Sequence, residues 1–150
     1  MDAAKTIATL LIPMQQKPLL VPEACIAEIV DYRRPVPGQL KASWCLGNIG
    51  WRGLEIPLIS FEKLNQGRFA DFSATARIAI MNNTSGNPEM PFYAVVIQGL
   101  PQPIPATVDD VKSATADAGP AEMARVLVRE IPAAIPNLSL VEQELAKEII

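Results

Sequence analysis

A mainly-β fold built from small barrels is predicted by three features of this sequence. Short aliphatic runs recur at close spacing, each the length of a strand. Fourteen prolines punctuate those runs. A sustained amphipathic pattern appears only from Ser139 to Ile150, as a short C-terminal helix. Short strands separated by turn residues suit small barrels better than a parallel sheet. No internal sequence repeat and no low-complexity segment breaks the pattern.

The elements follow in order. Thr6 to Ile12 alternates and is aliphatic, which predicts a strand. Pro13 to Gln16 is a turn, and Pro18 to Val21 begins the return strand. Glu23 to Tyr32 reads two ways. Cys25, Ile26, Ile29 and Val30 have helical spacing, while Ile29-Val30-Asp31-Tyr32 has strand propensity; a short helical turn leading into a strand fits both. Arg33 to Lys41 holds Pro35, Pro37 and Gly38 and is a loop. Trp44 to Ile59 is a hairpin, Ser60 to Leu64 a brief helix, and Asn65 to Ala74 a polar loop. Ala76 to Met81 and Phe92 to Gln98 are strands around a hairpin loop, Asn82 to Met90. Pro101, Pro103 and Pro105 alternate, so that segment is an edge strand or an extended stretch, because proline cannot donate to a ladder. Thr107 to Ala118 is a short helix or loop. Met123 to Ile131 is a strand, which Pro132 to Pro136 breaks. Ser139 and Glu142 form a capping-box pattern at the start of the last helix, with Leu138, Val141, Leu145 and Ile149 on one face.

Composition removes most chemistry. The chain has 150 residues, 49% hydrophobic and 19% charged, enough for one domain with a real core. It contains no histidine. Ser-His-Asp and Cys-His pairs and histidine-containing zinc sites are therefore impossible, and two cysteines cannot make a four-thiolate site. Cys25 and Cys45 lie among apolar neighbours and read as small buried hydrophobes. Asp109-Asp110 reads as the opening of a short helix, not as a metal or acid/base pair. No Walker loop or dinucleotide glycine fingerprint is present. No catalytic residue, metal or cofactor is expected. A net charge of −3 and 5% aromatic residues argue against nucleic acid. No apolar run is long enough to span a bilayer, and the N-terminus lacks a signal-peptide layout, so a cytoplasmic protein is expected.

What remains is Trp44 to Glu62. Gly47, Gly50 and Gly53 recur every third residue, which suits a strand kinked at a turn. Arg52 falls at that turn, where its guanidinium can lock to a carboxylate within the chain or on a partner.

These residues resemble the CheW-like chemotaxis adaptor domain. The family's early acidic segment is matched by Ile26-Ala27-Glu28-Ile29, its proline loop by Pro35 and Pro37, and its hairpin by Gly47-Asn48-Ile49-Gly50-Trp51-Arg52-Gly53-Leu54-Glu55-Ile56-Pro57-Leu58-Ile59. Ala94-Val95-Val96-Ile97 with Gly99 to Pro105 looks like a later strand and its following segment, and Leu138 to Leu145 like the closing helix. The tryptophan-rich hairpin resembles divergent single-domain members of the chemosensory systems that control type IV pili and twitching motility.

The resemblance implies one domain over residues 1–150, made of two small five-stranded SH3-like barrels sharing a core, with no catalysis. It implies an adaptor between a methyl-accepting chemoreceptor's cytoplasmic tip and the regulatory domain of a CheA-type histidine kinase, using one surface on each barrel. Glu28 and Arg52 carry over as the family's acidic and basic pair, expected to form a salt bridge; the alternative is a solvated arginine without a lasting contact. Ile26, Ile49 and Leu54 are candidates for apolar contact beside it, and equally for core. Trp44 is expected inside, and Trp51 beside Arg52 is hot-spot chemistry. Gly99-Leu100 stands where many members carry an acidic residue, and the nearby prolines are dense. That leaves a receptor-only accessory as an alternative, and a peptide-binding barrel outside chemotaxis as another.

Overall fold

The computed structural model describes residues 6–15, 17–66, 74–114 and 117–148. The strands are β1 (Ile7–Ile12), β2 (Leu19–Pro22), β3 (Ile26–Asp31), β4 (Cys45–Trp51), β5 (Leu54–Ile59), β6 (Arg77–Asn82), β7 (Phe92–Ile97), β8 (Gln102–Ala106), β9 (Val111–Ser113), β10 (Glu122–Val128) and β11 (Ile131–Pro136); the helices are α1 (Phe61–Gln66) and α2 (Leu138–Glu148). One sheet has the order β8-β1-β2-β11-β10-β9 and the other β3-β6-β7-β5-β4. The second sheet has the five strands expected of a small barrel, and the first carries the three-residue β9 in addition.

Both sheets are forced to roll. Ala106 ends β8 and Val111 begins β9, the two edges of the first sheet. Five residues reach at most about 17 Å, whereas the outer strands of a flat six-stranded sheet lie about 24 Å apart. In the second sheet the loop after β3 crosses to the free edge of β4. There Val36 and Asn48 exchange backbone hydrogen bonds of 2.9 and 2.8 Å.

The rolled sheets create three apolar cores. Leu11, Leu20, Ile104, Val126, Val128 and Ala133 fill the first barrel. Ile49, Trp51, Ile56, Leu58, Ile78, Ile80, Ala94 and Val96 fill the second. Between the barrels lie Ile12, Leu19 and Val21 from one side and Ala79, Met81, Tyr93, Val95 and Ile97 from the other, with Val141 and Leu145 of α2 closing the layer. Strands β1, β2, β6 and β7 thus bury both faces, which is why they read as unbroken aliphatic runs. The 3₁₀ turn Glu23–Cys25 leading into β3 satisfies both readings of that segment.

Three expectations are corrected. Met123 to Ile131 is not one strand: it turns at Arg129-Glu130, both with positive φ (48° and 71°), and the proline-rich segment that was expected to break it is strand β11. Proline is tolerated there by parity. In a two-residue hairpin the closing pair Val128–Ile131 is hydrogen-bonded, so Pro132, opposite Leu127, faces its nitrogen away from β10 and loses nothing. The same alternation keeps Pro103 and Pro105 of edge strand β8 harmless, as expected. The start of the last helix is also different. Asn137 caps it, its Oδ1 accepting from Leu140 N at 3.1 Å, and the helix begins at Leu138. Glu142 is buried instead, accepting from Tyr93 Oη (3.0 Å), Thr84 N (3.0 Å) and Thr84 Oγ1 (2.7 Å). Thr107 to Ala118 opens as a 3₁₀ turn and adds β9, which is too short to carry a periodic signal. The expected loop over 67–73, most of Asn65 to Ala74, and Ile149 on the helix face lie outside the described residues.

The halves are also joined by buried polar groups. Glu122 of β10 accepts from Asn65 Nδ2 of α1 at 2.6 Å, from Gly119 N at 3.1 Å, and from Arg125. Asn65 Oδ1 in turn accepts from Ala121 N at 2.8 Å. Burial pushes the Glu122 carboxyl up, but hydrogen bonds from Arg125, Gly119 and Asn65 outweigh it and hold the group below its usual value of 4.5. A carboxyl with a depressed native value stabilises the fold above its unfolded value and loses that contribution as pH falls through the native one. Urea midpoints measured from about pH 5 down to about pH 3 are expected to fall, and Glu122→Gln to flatten the fall while costing about 1–3 kcal/mol at neutral pH. An unchanged slope in the variant removes Glu122 from the acid response.

Candidate protein-binding site

Arg52 and Gly53 are the two central residues of the β4–β5 hairpin, with Trp51 paired to Leu54 across it. Both have positive φ, 49° and 77°, as a type I′ turn requires. Gly53 takes that region freely, whereas Arg52 is held there at a backbone cost of about 1–2 kcal/mol. A side chain kept at such a position by its surroundings points to use.

Glu28 reaches the turn from the opposite edge of the sheet. It lies on β3 just after a bulge at Ala27, opposite Ile80, and so shares the face of Ile78 and Ile80 at the mouth of the second barrel. Its Oε1 accepts from Arg52 Nη2 at 2.9 Å and from Trp51 Nε1 at 3.2 Å. The predicted salt bridge is present. The guanidinium carbon also lies 5.0 Å from the Trp51 ring centroid, a cation–π contact, and Trp51 packs edge-on against Phe92 at 4.8 Å. The Arg52 side chain is nevertheless 69% exposed and that of Glu28 38%. The pair fixes the guanidinium's direction and leaves most of its surface open.

The structure brings Glu28, Trp51 and Arg52 together and sets Leu54, 42% exposed, beside them. Ile49 is core at 3% exposure, below the site. Ile26 pairs with Met81 and packs on the core between the barrels, away from Arg52. Trp44 packs on that same core, as expected. Two supports had no clear signal. Phe92 sets the Trp51 ring, and the Ala27 bulge aims Glu28. Gly47 is needed nearby: its φ is +134°, and a Cβ there would meet the Val36 carbonyl oxygen at 2.3 Å.

The thiols are held in their unreactive form. Burial, then the Glu148 carboxylate, pushes Cys45 up to about 12, and burial with Glu142 raises Cys25. Among the described residues no group of three or more Cys, Asp or Glu side chains is placed to hold a metal ion.

Two outcomes follow for this site. Arg52→Ala removes one exposed ion pair and its ring contact and is expected to cost about 0.5–1 kcal/mol. Glu28→Ala strips the acceptor from both Arg52 and Trp51 and is expected to cost about 1–2 kcal/mol. Denaturant melts of the two variants test the order, and a larger loss for Arg52→Ala contradicts this account of the seam. Neither thiol is expected to react with Ellman's reagent in the native protein at pH 8, and both react after unfolding.

A sequence profile of the CheW-like domain matches residues 9–131, from β1 to the start of β11. No curated protein matches the chain. Among solved structures it is similar to the scaffolding protein TtCheW from Thermoanaerobacter tengcongensis, at 13% identity and a TM-score of 0.73, over 88% of this chain and 89% of that one. At that identity the likeness concerns the fold, and both barrels are included in it. With the profile covering most of its length, the chain belongs to the CheW-like domain family.

Proposed function

We propose that this protein is a non-catalytic adaptor of a chemosensory pathway, joining the cytoplasmic tip of a methyl-accepting chemoreceptor to the regulatory domain of a CheA-type histidine kinase. Family membership supports the scaffold role. The observation that carries the reading is the Arg52 turn. It is a guanidinium aimed by Glu28 and Trp51, mostly exposed, and flanked by the exposed Leu54. A pre-oriented arginine beside an aromatic and an aliphatic group suits recognition of a protein surface, since little side-chain freedom is lost on docking. Glu28, Arg52, Trp51 and Leu54 form the contact, with Ile49 beneath it in the core of the second barrel. The absence of histidine and the raised thiols fit a role without chemistry.

The working place is the cytoplasm, where receptor tip and kinase meet. No described helix is long and apolar enough to cross a membrane. The Trp44 and Trp51 pattern favours a pathway controlling type IV pili and twitching motility. A receptor-only accessory role is the second reading. It is favoured by Leu100, 66% exposed where many members have an acidic residue, and by the prolines of edge strand β8.

The test is capture of the purified protein by a receptor tip and by a kinase regulatory domain, with Arg52→Ala alongside. Binding to both, with at least one weakened about tenfold by a substitution that barely lowers the melting temperature, is the expected result. Binding to the receptor alone selects the accessory reading. Binding to neither removes the proposal.

A further inference from the structure

Four strands end the two sheets: β8 and β9 in the first, β3 and β4 in the second. An open edge offers unpaired N–H and C=O groups to any other strand. Each of these four is guarded. Strand β9 is three residues long with the exposed Lys112 at its centre. Strand β3 is bulged at Ala27 and carries Glu28 and Asp31. The edge of β4 is covered by Pro35-Val36-Pro37, and β8 itself contains Pro103-Ile104-Pro105. The last two share one construction, in which the middle residue pairs inward. Val36 exchanges both its backbone bonds with Asn48, at 2.9 and 2.8 Å, and Ile104 stands opposite Thr9 of β1. Backbone groups alternate in direction along a strand, so the two flanking residues turn theirs outward. Both are prolines, and neither has an N–H to give. The parity is visible at Pro105, whose carbonyl accepts from Arg129 Nη2 at 2.7 Å, a donor outside the β1–β8 ladder.

We infer that the two Pro-x-Pro segments are edge locks, which keep a second copy of this chain from adding a strand to either barrel. The surroundings of β8 show what its lock holds back. Gln102, Pro103 and Pro105 are exposed. Leu100, 66% exposed, lies two residues before the strand, and Ile7, 56% exposed, lies opposite Ala106 at its far end. An extended edge with aliphatic flanks is a template for its own copy once N–H groups are present. With both edges locked, contacts to other proteins are left to side chains, and the Arg52 turn is of that kind. The inference does not depend on which partners the protein has.

The test restores the missing donors. Pro103→Thr with Pro105→Thr supplies two outward N–H groups on residues that suit a strand. Pro103→Lys with Pro105→Lys supplies the same groups but sets two cations on the edge. Sedimentation equilibrium of the whole chain, and amide hydrogen exchange at positions 103 and 105, are measured for both variants, with the parent protein as the reference for association. The threonine variant is expected to melt close to the parent and to self-associate at least about tenfold more tightly, with both new amides protected as concentration rises. The lysine variant is expected to stay with the parent. Pro37→Thr tests the second barrel in the same way and is also expected to associate; Pro35 is kept because its Cβ lies close over Gly47. Threonine variants that associate no more than the parent overturn the inference. So does association that leaves positions 103 and 105 unprotected, or that the lysine variant matches. If the double threonine variant melts early, Pro103→Thr alone carries the same readout.

Discussion

Glu28 accepts hydrogen bonds from the side chains of two consecutive residues, Trp51 and Arg52, that end the strand on the far edge of its sheet. Its position between edges β3 and β4 gives the bonds their importance. Together with the Val36–Asn48 bridge they close the second barrel along a seam that the regular ladder leaves open. Closure covers Trp51, Ile49 and Ile80, and it removes exposed sheet edges that would otherwise pair with other chains. One carboxylate thus completes a core and orients an exposed cation. The ion pair itself, half in water, is worth little to stability. Its value is geometric.

A similar use of carboxylates recurs elsewhere. Glu142 and Glu148 of α2 accept the backbone N–H groups of Thr84 and Ala42, in two loops of the second barrel. Glu62 of α1 accepts that of Gln15, in the turn between β1 and β2 of the first. Glu122 ties α1 to β10 through Asn65. Loop N–H groups that would need water are met by side chains from helices packed on the central core, so the loops and the two barrels are held in one arrangement. A scaffold that must present separated surfaces at a fixed angle needs such rigidity.

Much of this was legible in the sequence. Two-sided burial gives β1, β6 and β7 continuous aliphatic runs, and the glycines with Arg52 mark the hairpin. The salt bridge between Glu28 and Arg52 was expected from the resemblance. Other features depend on partners far away in the chain. Ser139 and Glu142 have the right spacing for a capping box, but Tyr93 and Thr84 claim the carboxylate, and Asn137 takes the cap. Arg129 and Glu130 carry no turn signature, because neither residue favours positive φ. Their turn is set by the pairing of β10 with β11 and by the hold of Pro105 and Asp110 on Arg129. Pro132 reads as a strand breaker until its register is known. The bulge at Ala27, which decides where Glu28 points, leaves no mark in composition at all.

The two sheets repeat one strand order, β3-β6-β7-β5-β4 matching β8-β1-β2-β11-β10 with the same pairing senses, and the repeat was hidden in the sequence for a physical reason. Barrel topology is preserved by pairing sense and by which face is buried, and many sequences satisfy both. Trp51 and Val128 do the same packing work, Leu54 and Ile131 have the same exposure, and Gly53 and Glu130 take the same backbone conformation, yet none of these pairs matches in identity. Only the arginine is common, and its acceptors come from different elements: β3 in one barrel, the end of β8 and the following 3₁₀ turn in the other. Holding an arginine in the left-handed region costs the fold in both places, and an exposed salt bridge returns little of that cost. At Arg52 that cost is understood if the guanidinium acts outward, on a partner surface the chain itself does not contain.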